Sequence, residues 1–241
     1  MKEKMNKIPV FYACDDNFVK YTMVSLQSMM DHASKEAQYE IHVLHTNISE
    51  EMQKKMHAME NANFSVQFDH VTEYLHSIQE KLPLRDYYSK TTYFRLFIAE
   101  MFPEIDKAIY IDSDTVVLGD IAQLYAYDLG DAYVGACREQ VMIQEEVYGT
   151  YVEKVLGVER DNYFNAGMLV INCEQFRKNH VLEQFMELLP MYNFVVTQDE
   201  DYLNVLAAAE VECGSIRSDP VPRRRNLCAA LYYGLKAMAL Q

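Results

Sequence analysis

Two aspartates, Asp112 and Asp114, lie one residue apart in the stretch IYIDSDTVVLGDI, directly after an apolar run. Like charges at such a position need a counter-charge, and carboxylate oxygens are ligands that Mg²⁺ and Mn²⁺ prefer. In a turn that leaves a strand, both side chains can converge on one cation, whose other ligands are water or substrate phosphates. The pair alone does not distinguish such a metal site from a solvated loop with a helix-capping aspartate.

Phosphohydrolases of the haloacid dehalogenase type also carry an Asp-x-Asp pair after an apolar strand. In that class Asp112 would be the nucleophile that accepts the phosphoryl group. The class normally places the pair on its first strand, with a lysine and a second acidic pair downstream. Here the pair follows the fourth strand-like segment and no Asp-Asp pair comes after it, so this alternative is the weaker one.

The composition limits the classes of protein to which this chain can belong. The 241 residues, half of them hydrophobic, suffice for one α/β domain with a substantial core. The net charge of −14 argues against a nucleic acid as partner, because no basic surface is available to release counterions. The N-terminus has no apolar signal region, and no stretch reaches the ~18 apolar residues of a membrane span. We therefore expect a cytoplasmic protein, with peripheral contact at the inner face of the membrane as a further option.

Apolar runs of strand length alternate with helical patterns along the chain. We predict six strands, over 8–14, 39–46, 64–70, 107–111, 132–137 and 166–173. We predict helices from Phe18, after Ser49, over 90–102 and over 174–192, and no strand beyond Leu206. The alternation indicates a mostly parallel sheet flanked by helices. Such sheets bind ligands at the carboxyl ends of their strands, which is where the Asp pair lies.

Five separated stretches carry a more specific pattern, in a fixed order: ACDDN (13–17), KTTYFRLFIAE (90–100), AIYIDSDTVVLGDIAQL (108–124), YFNAGMLVIN (163–172) and QDEDYLN (198–204). Together they resemble the family 8 retaining glycosyltransferases, the group of bacterial lipopolysaccharide galactosyl- and glucosyltransferases and of glycogenin. The resemblance covers residues 8–206. It implies a GT-A-type nucleotide-diphospho-sugar transferase fold over 1–206, followed by an atypical segment, 207–241, that is truncated or altered relative to the family.

The resemblance also implies roles for the residues of the first and third stretches. Ala13, Asp15 and Asn17 would contact the uridine of the donor, since a carboxylate accepts from uracil N–H and an amide suits ribose hydroxyls. Asp112 and Asp114 would hold Mn²⁺ or Mg²⁺ against the diphosphate. The alternative for the first stretch is a helix cap formed by Asp16 or Asn17, and both roles can coexist.

Three further residues would bind the sugar and diphosphate, namely Arg95, Asn165 and Asp199. Arg95 stands alone among apolar neighbours in a predicted helix, so an inward-facing guanidinium needs an anionic or polyhydroxyl partner, while the alternative is a surface arginine. Asn165 precedes Ala-Gly, which suits either a close approach to a ligand or a turn at a strand entry. Asp199 opens a predicted helix, where acidic residues are also routine.

Glu200 occupies a position that is commonly Gln in the resembling family. A carboxylate there could stabilise an oxocarbenium-like centre or attack it, whereas an amide supports only a front-face return. We name Glu200 and Asp199 as the candidate catalytic residues. The family's late His-x-Gly-x-x-Lys motif, which supplies a third metal ligand, is missing from this chain, so we expect weak donor binding and reduced turnover.

The resemblance therefore implies a metal-dependent retaining transferase that moves a hexose, Gal or Glc, from a UDP-sugar to a glycan or lipooligosaccharide acceptor. An alternative, motivated by the missing His and Lys, is a UDP-sugar-binding protein with little or no turnover. The last residues, PRRRNLCAALYYGLKAMALQ (222–241), could contact an anionic membrane that carries such an acceptor.

Overall fold

One sheet organises the part of the chain that the computed structural model describes, residues 7–78, 91–194, 196–207 and 211–214. Its seven strands are β1 (Lys7–Ala13), β2 (Gln38–His45), β3 (Phe64–His70), β4 (Lys107–Ile111), β5 (Val134–Arg138), β6 (Phe164–Asn172) and β7 (Val211–Gly214). Their order across the sheet is β3-β2-β1-β4-β6-β5-β7. Within the sheet β6 runs against both of its neighbours, β4 and β5, while the other pairs are parallel, so the prediction of a mostly parallel sheet is confirmed.

Helices cover both faces of this sheet. They are α1 (Val19–His32), α2 (Glu50–His57), α3 (Thr72–Ile78), α4 (Ile98–Met101), α5 (Ile121–Tyr125), α6 (Gln140–Gln144), α7 (Glu146–Tyr151), α8 (Cys173–Lys178), α9 (Val181–Leu188) and α10 (Asp199–Ala207). Three further segments are the 3₁₀ helices Thr91–Leu96 and Arg160–Asn162 and the π-helix Val152–Leu156. Among the described helices, none is long and apolar enough to span a membrane.

The core consists of two clusters, one on each face of the sheet. Along β1, Val10 and Tyr12 pack against α1 and α2, whereas Phe11 and Ala13 pack on the opposite face with α4, α9 and α10. A strand that is covered on both faces has no polar side, which is why the central strands read as continuous apolar runs rather than as alternating ones. That property made their positions predictable from the sequence.

The predicted helices over 90–102 and 174–192 are both wrong in detail. The first is a 3₁₀ helix, Thr91–Leu96, followed by the single turn α4. The second is broken into α8 and α9, because Asn179 donates its side-chain amide to the Gln175 carbonyl at 2.9 Å and closes α8. The next residue, His180, has a left-handed backbone with φ of 53°, which no helix interior accommodates.

The expectation of no strand beyond Leu206 is also wrong. Strand β7 pairs in parallel with β5 from Val211 to Gly214 and forms an edge of the sheet. It is only four residues long and contains a glutamate and a glycine, so its sequence shows neither an apolar run nor a clear alternation. The arginine-rich stretch 222–241 lies outside the described residues.

The left-handed residue between α8 and α9 generates a stability prediction. His180 is exposed and pays a steric cost that glycine avoids, so His180→Gly should raise the free energy of unfolding by about 0.5–1 kcal/mol in urea denaturation. The matched control is Lys178→Gly, an exposed residue with helical backbone two positions earlier, which should lower that free energy by a similar amount. Destabilisation by both variants would contradict the left-handed backbone at residue 180.

Candidate active site

A buried arginine occupies the centre of the candidate site. The side chain of Arg95 is only 4% exposed, so the alternative of a surface arginine is wrong. Its Nη2 lies 3.0 Å from Asp112 Oδ1, and its Nε lies 3.1 Å from Asp199 Oδ2. The guanidinium also donates to the backbone carbonyls of Thr92 and Ala166. One cation therefore joins the 3₁₀ helix, the end of β4, the start of β6 and the first turn of α10.

The charge on Arg95 is set by its carboxylate partners. Burial disfavours a charged guanidinium, but the neighbouring Asp112, Tyr110 and Asp199 outweigh that effect and raise the pKa of Arg95. The guanidinium carbon also lies 4.4 Å from the centre of the Tyr110 ring, where a cation is attracted by the ring's negative face. Arg95 is thus a fixed positive charge at the bottom of an acidic site.

Asp112 is held through one of its two carboxylate oxygens. Tyr110 donates its hydroxyl to Oδ1 at 2.9 Å, and Arg95 bonds to the same oxygen. The other oxygen, Oδ2, would lie 2.8 Å from a Cβ at Gly167, so any side chain at that position would displace it. Loss of hydration raises the pKa of the Asp112 carboxyl, and the Arg95 and Tyr110 contacts offset this only in part. The Asp112 side chain is still 37% exposed, so it remains accessible to a ligand.

Asp114 is exposed, and the loop that carries it is fixed by the residue between the two aspartates. Ser113 is buried, and its hydroxyl accepts a hydrogen bond from the Thr22 hydroxyl of α1 at 2.9 Å. Asp112 and Asp114 line one cleft at the carboxyl ends of β1 and β4. The cleft is lined by Ala13, Cys14, Phe18, Thr91, Thr92, Tyr110, Asp112, Ser113 and Asp114.

The donor set fits a hard divalent cation in part. Asp112 Oδ2 and Asp114 are carboxylate oxygens on one loop, and Mg²⁺ or Mn²⁺ is commonly held by one or two carboxylates with water and substrate phosphates completing the shell. Within the described residues, no group of three His, Cys, Asp or Glu side chains is placed to hold a metal ion by itself. The residues therefore fit an ion that is shared with a phosphate ligand better than a protein-enclosed ion.

The loop after β1 is held by its first aspartate. Asp15 Oδ1 accepts hydrogen bonds from the backbone N–H groups of Asn17 and Phe18, at 2.9 and 3.1 Å, directly before α1. Asp16 instead accepts from the N–H and hydroxyl of Ser49, both at 2.8 Å. The alternative of a helix cap by Asp16 or Asn17 is wrong, because α1 has no side-chain cap. Asp15 instead bonds the turn that precedes the helix, and Asp16 ties this loop to the loop after β2.

The two remaining predicted residues of the site are Asn165, at the start of β6, and Glu200, in the first turn of α10. Asn165 donates its side-chain amide to Glu139 Oε2 at 2.8 Å and accepts from the Gly167 N–H at 2.9 Å. Glu200 Oε2 accepts from the Ala166 N–H at 2.8 Å. Burial raises the pKa of Glu200 to about 8, although the Ala166 N–H favours the charged form, and Glu139 adds to the increase.

The order of these motifs along the chain matches a known family model. The model of glycosyl transferase family 8 matches residues 9–212. The chain belongs to glycosyl transferase family 8. The resemblance inferred from the five stretches is therefore confirmed.

This family 8 chain is similar to relatives from several bacteria. It is 28% identical to a Haemophilus influenzae protein over 221 residues, which are 90% of this chain and 64% of that protein. It is also 28% identical over 128 residues to a lipopolysaccharide 1,2-glucosyltransferase of Escherichia coli K12, covering 52% of this chain and 37% of that enzyme. The chain thus spans about two thirds or less of the length of these relatives.

A solved structure of the galactosyltransferase LgtC, in complex with donor and acceptor sugar analogues, has the same architecture. It superposes with a TM-score of 0.70 and 28% sequence identity, covering 86% of this chain and 73% of that chain. The predicted GT-A-type fold is confirmed by this likeness.

Several residues of the family 8 site escaped sequence reasoning. Tyr110 and Glu139 orient Asp112 and Asn165, but nothing in their sequence context distinguishes them from core or surface residues. Asn204 of α10 pairs with the backbone of Phe164 in both directions, accepting from its N–H at 2.9 Å and donating to its carbonyl at 2.8 Å. An asparagine inside an otherwise apolar helical run was the one available signal, because such a side chain is costly to bury unless it is bonded.

Removing the central cation should destabilise the fold. Arg95→Met leaves two carboxylates near a buried site without their counter-charge, so we expect the free energy of unfolding at pH 7 to fall by about 3 kcal/mol, near the lower end for broken buried pairs because Asp112 is partly exposed. Chemical denaturation of the purified variant measures this loss.

The control for Arg95→Met is Arg160→Met. Arg160 also contacts two carboxylates, Glu146 and Glu153, but their side chains are 81% and 38% exposed, so its loss should cost less than about 1 kcal/mol. Equal losses for both variants would show that the buried position of Arg95 has no special energetic role.

Proposed function

We propose that this family 8 protein transfers a hexose, Gal or Glc, from a UDP-sugar to a glycan or lipooligosaccharide acceptor, with retention at the anomeric carbon. The observation that carries the proposal is the pairing of Arg95 with both Asp112 and Asp199, beside the cleft that Asp112 and Asp114 line at the carboxyl ends of β1 and β4. The proposal is supported by the relatives, one named a lipopolysaccharide glucosyltransferase and one a galactosyltransferase in complex with donor and acceptor sugar analogues.

The proposed transferase domain is residues 1–206, followed by the atypical segment 207–241. Strand β7, at Val211–Gly214, extends the same sheet beyond that boundary. Because the relatives are longer than this chain, the acceptor and any membrane contact stay proposals. Peripheral contact at the inner membrane face, in the cytoplasm, fits the lipid-linked acceptors of lipopolysaccharide enzymes.

The predicted site residues in and around the cleft each have a proposed task in binding the donor. Asp15 and Asn17, with the Ala13 backbone, would contact uridine at the end of β1. Mn²⁺ or Mg²⁺, when held by Asp112 and Asp114, would supply Lewis-acid stabilisation to the departing diphosphate. Without a cation, two carboxylates would repel that diphosphate.

Arg95, Asn165 and Asp199 would orient the sugar and diphosphate. Arg95 pairs with both Asp112 and Asp199, so its charge holds their oxygens in place for a polyhydroxyl ligand. The Asn165 side chain is oriented by its amide bond to Glu139 and by the Gly167 N–H that its oxygen accepts. Pre-oriented side chains lower the entropy cost of placing the reacting carbon.

Glu200 would act as a neutral group rather than as a nucleophile. A pKa of about 8 means that this carboxyl is mostly protonated at pH 7, where it donates a hydrogen bond as a glutamine amide does. A protonated carboxyl is a poor nucleophile, which supports front-face return over double displacement. Asp199 would assist by contacting the sugar from the same helical turn.

Two alternative functions were considered from the sequence. The family assignment excludes one of them, the haloacid dehalogenase-type phosphohydrolase. A UDP-sugar-binding protein with little turnover stays a second candidate. Metal-dependent hydrolysis of a UDP-hexose above a no-enzyme blank separates the proposed enzyme from this second candidate.

The metal site can be tested by charge removal. Asp112→Ala combined with Asp114→Ala should lower Mn²⁺-dependent UDP affinity at least tenfold, because the ion that bridges protein and diphosphate loses both protein ligands. Isothermal titration calorimetry with and without Mn²⁺ measures this change.

The matched control for this double variant is Asp128→Ala with Asp131→Ala. These residues precede β5 and so lie at the amino end of that strand, away from the Asp pair, which follows the carboxyl end of β4. Their substitution removes the same amount of charge, so UDP affinity should stay unchanged. Unchanged affinity in the Asp112 and Asp114 double variant, with Mn²⁺ present, would refute the proposed metal site.

The protonation of Glu200 predicts a pH dependence. Glu200→Gln should keep most of the transfer or hydrolysis activity at pH 7, because the amide replaces a neutral carboxyl. The wild type should lose activity as the pH rises through about 8, where Glu200 ionises, while the variant should not. Initial rates from pH 6 to 9 check this. A glycosyl adduct on the wild type in intact-mass spectra, with loss of activity in Glu200→Gln, would contradict it.

The raised pKa of Glu200 also predicts a pH-dependent change in stability, which can be measured without enzyme activity. In the unfolded chain Glu200 ionises near its ordinary pKa, but in the folded protein it stays protonated up to about 8, so it destabilises the fold increasingly across that window. The melting temperature of Glu200→Gln should therefore exceed that of the wild type by a margin that grows up to pH 8 and is constant above it. The exposed control, Glu104→Gln, should show no such growth.

A further inference from the structure

We infer that Asp201 is a positioning residue, which fixes Asp199 and Glu200 by anchoring the turn before α10 to Tyr151 and Tyr163. We call Tyr151, Tyr163, Thr197 and Asp201 the anchor. The inference rests on the proposed function for its effect on catalysis, but the anchor itself is a feature of the fold.

The carboxylate of Asp201 is fully buried, and both of its oxygens accept hydrogen bonds. Tyr163 donates its hydroxyl to Oδ1 at 2.8 Å. Tyr151 donates its hydroxyl to Oδ2 at 2.9 Å, and the Thr197 N–H donates to the same oxygen at 3.1 Å. A buried carboxylate is tolerated only when such donors replace its water. Because its side chain is fully buried and both oxygens are bonded, Asp201 does not face a substrate, in contrast to the partly exposed Asp112.

The two phenols remain donors at any physiological pH. Burial raises the pKa of Tyr151, and the bond to Asp201 raises it further. Burial, together with the charges of Glu200 and Asp201, likewise raises the pKa of Tyr163. Because the Tyr163 proton goes to Asp201, the Thr197 hydroxyl donates to the Tyr163 oxygen at 2.6 Å. Thr197 is therefore held by both its backbone and its side chain.

The turn that the anchor holds contains a strained residue. Gln198 has a left-handed backbone with φ of 54°, which is unfavourable for a residue other than glycine and persists only where its surroundings enforce it. Thr197 precedes it and is fixed by the anchor. On the other side, the Tyr202 N–H bonds to the Gln198 carbonyl. Asp201, in the first turn of α10, thus holds in place the strained turn that precedes its own helix.

The clamped turn sets the geometry of the site. Asp199 and Glu200 directly follow Gln198 and reach in different directions, to Arg95 at 3.1 Å and to the Ala166 N–H at 2.8 Å. Both contacts need the first turn of α10 in one position. Without the anchor, the backbone at Gln198 would relax toward an ordinary conformation and carry both carboxyl groups away from Arg95 and the Ala166 N–H.

The anchor also links the site to α7. Tyr151 is the last residue of α7 and is followed directly by the π-helix Val152–Leu156. Short π-helical segments inside helices are found frequently at functional sites. The Tyr151 hydroxyl reaches Asp201 across 50 residues of sequence.

The test is Tyr151→Phe, which removes one hydroxyl and keeps the aromatic packing. We expect kcat for UDP-hexose hydrolysis or transfer to fall about ten- to hundredfold, because the two carboxyl groups lose their position, while Mn²⁺-dependent UDP affinity changes less than twofold. Tyr163→Phe should act in the same way. Unchanged kcat in both variants would overturn the inference.

The matched control is Tyr39→Phe. Tyr39 also donates its hydroxyl to a carboxylate, Asp120, at 3.1 Å. It lies near the amino end of β2, whereas the cleft lies at the carboxyl ends of the strands. The Tyr39→Phe variant should leave kcat and UDP affinity unchanged. An equal fall in kcat for Tyr39→Phe would mean that loss of any buried tyrosine hydroxyl is responsible, and it would also overturn the inference.

A second readout separates failure of this inference from failure of the proposed function. If the wild type shows no turnover, the proposed transferase activity fails, and hydrogen–deuterium exchange then tests the anchor. Exchange at the amides of residues 197–203 should rise at least tenfold in Tyr151→Phe and stay at the wild-type level in Tyr39→Phe. Unchanged exchange in Tyr151→Phe would overturn the anchor whether or not the protein is an active enzyme.

Discussion

The buried guanidinium of Arg95 is the constraint on which the rest of the site depends. A cation taken out of water is stable only if its partners are close and correctly directed, and here those partners come from four separate elements. The 3₁₀ helix, β4, β6 and α10 must therefore meet at one point. Asp112 and Asp199 share this one positive charge, so neither can move without disturbing the other.

Charge balance explains why this site takes the form it does. The chain has a net charge of −14, and Asp112, Asp114, Glu139, Asp199 and Glu200 lie at one edge of the sheet. Arg95 compensates part of this charge, and protonation of Glu200 removes another part. A diphosphate ligand adds further negative charge, which is the physical reason for placing a divalent cation at the Asp pair in the proposed function.

Sequence reasoning succeeded where a residue's own segment determines its structure. Strand β4 was predicted at its observed limits, because a strand buried on both faces is apolar throughout, and this placed Asp112 at the carboxyl edge. It failed where distant contacts or a single backbone angle determine the structure. Two partners of Arg95, Asp112 and Ala166, lie 17 and 71 residues away in the sequence. The break between α8 and α9 depends on the φ angle of His180. Asp201 was indistinguishable from an ordinary acidic residue in a first helical turn.

The most direct test of the account is a crystal structure of the protein with Mn²⁺ and UDP, with anomalous diffraction recorded at the manganese edge. The account predicts one anomalous peak between Asp112 and Asp114 that also contacts the diphosphate, with Arg95 still bonded to Asp112 Oδ1 and to Asp199. UDP bound in the cleft with no manganese peak at the two aspartates, or an Asp112 side chain turned away from Arg95, would contradict it.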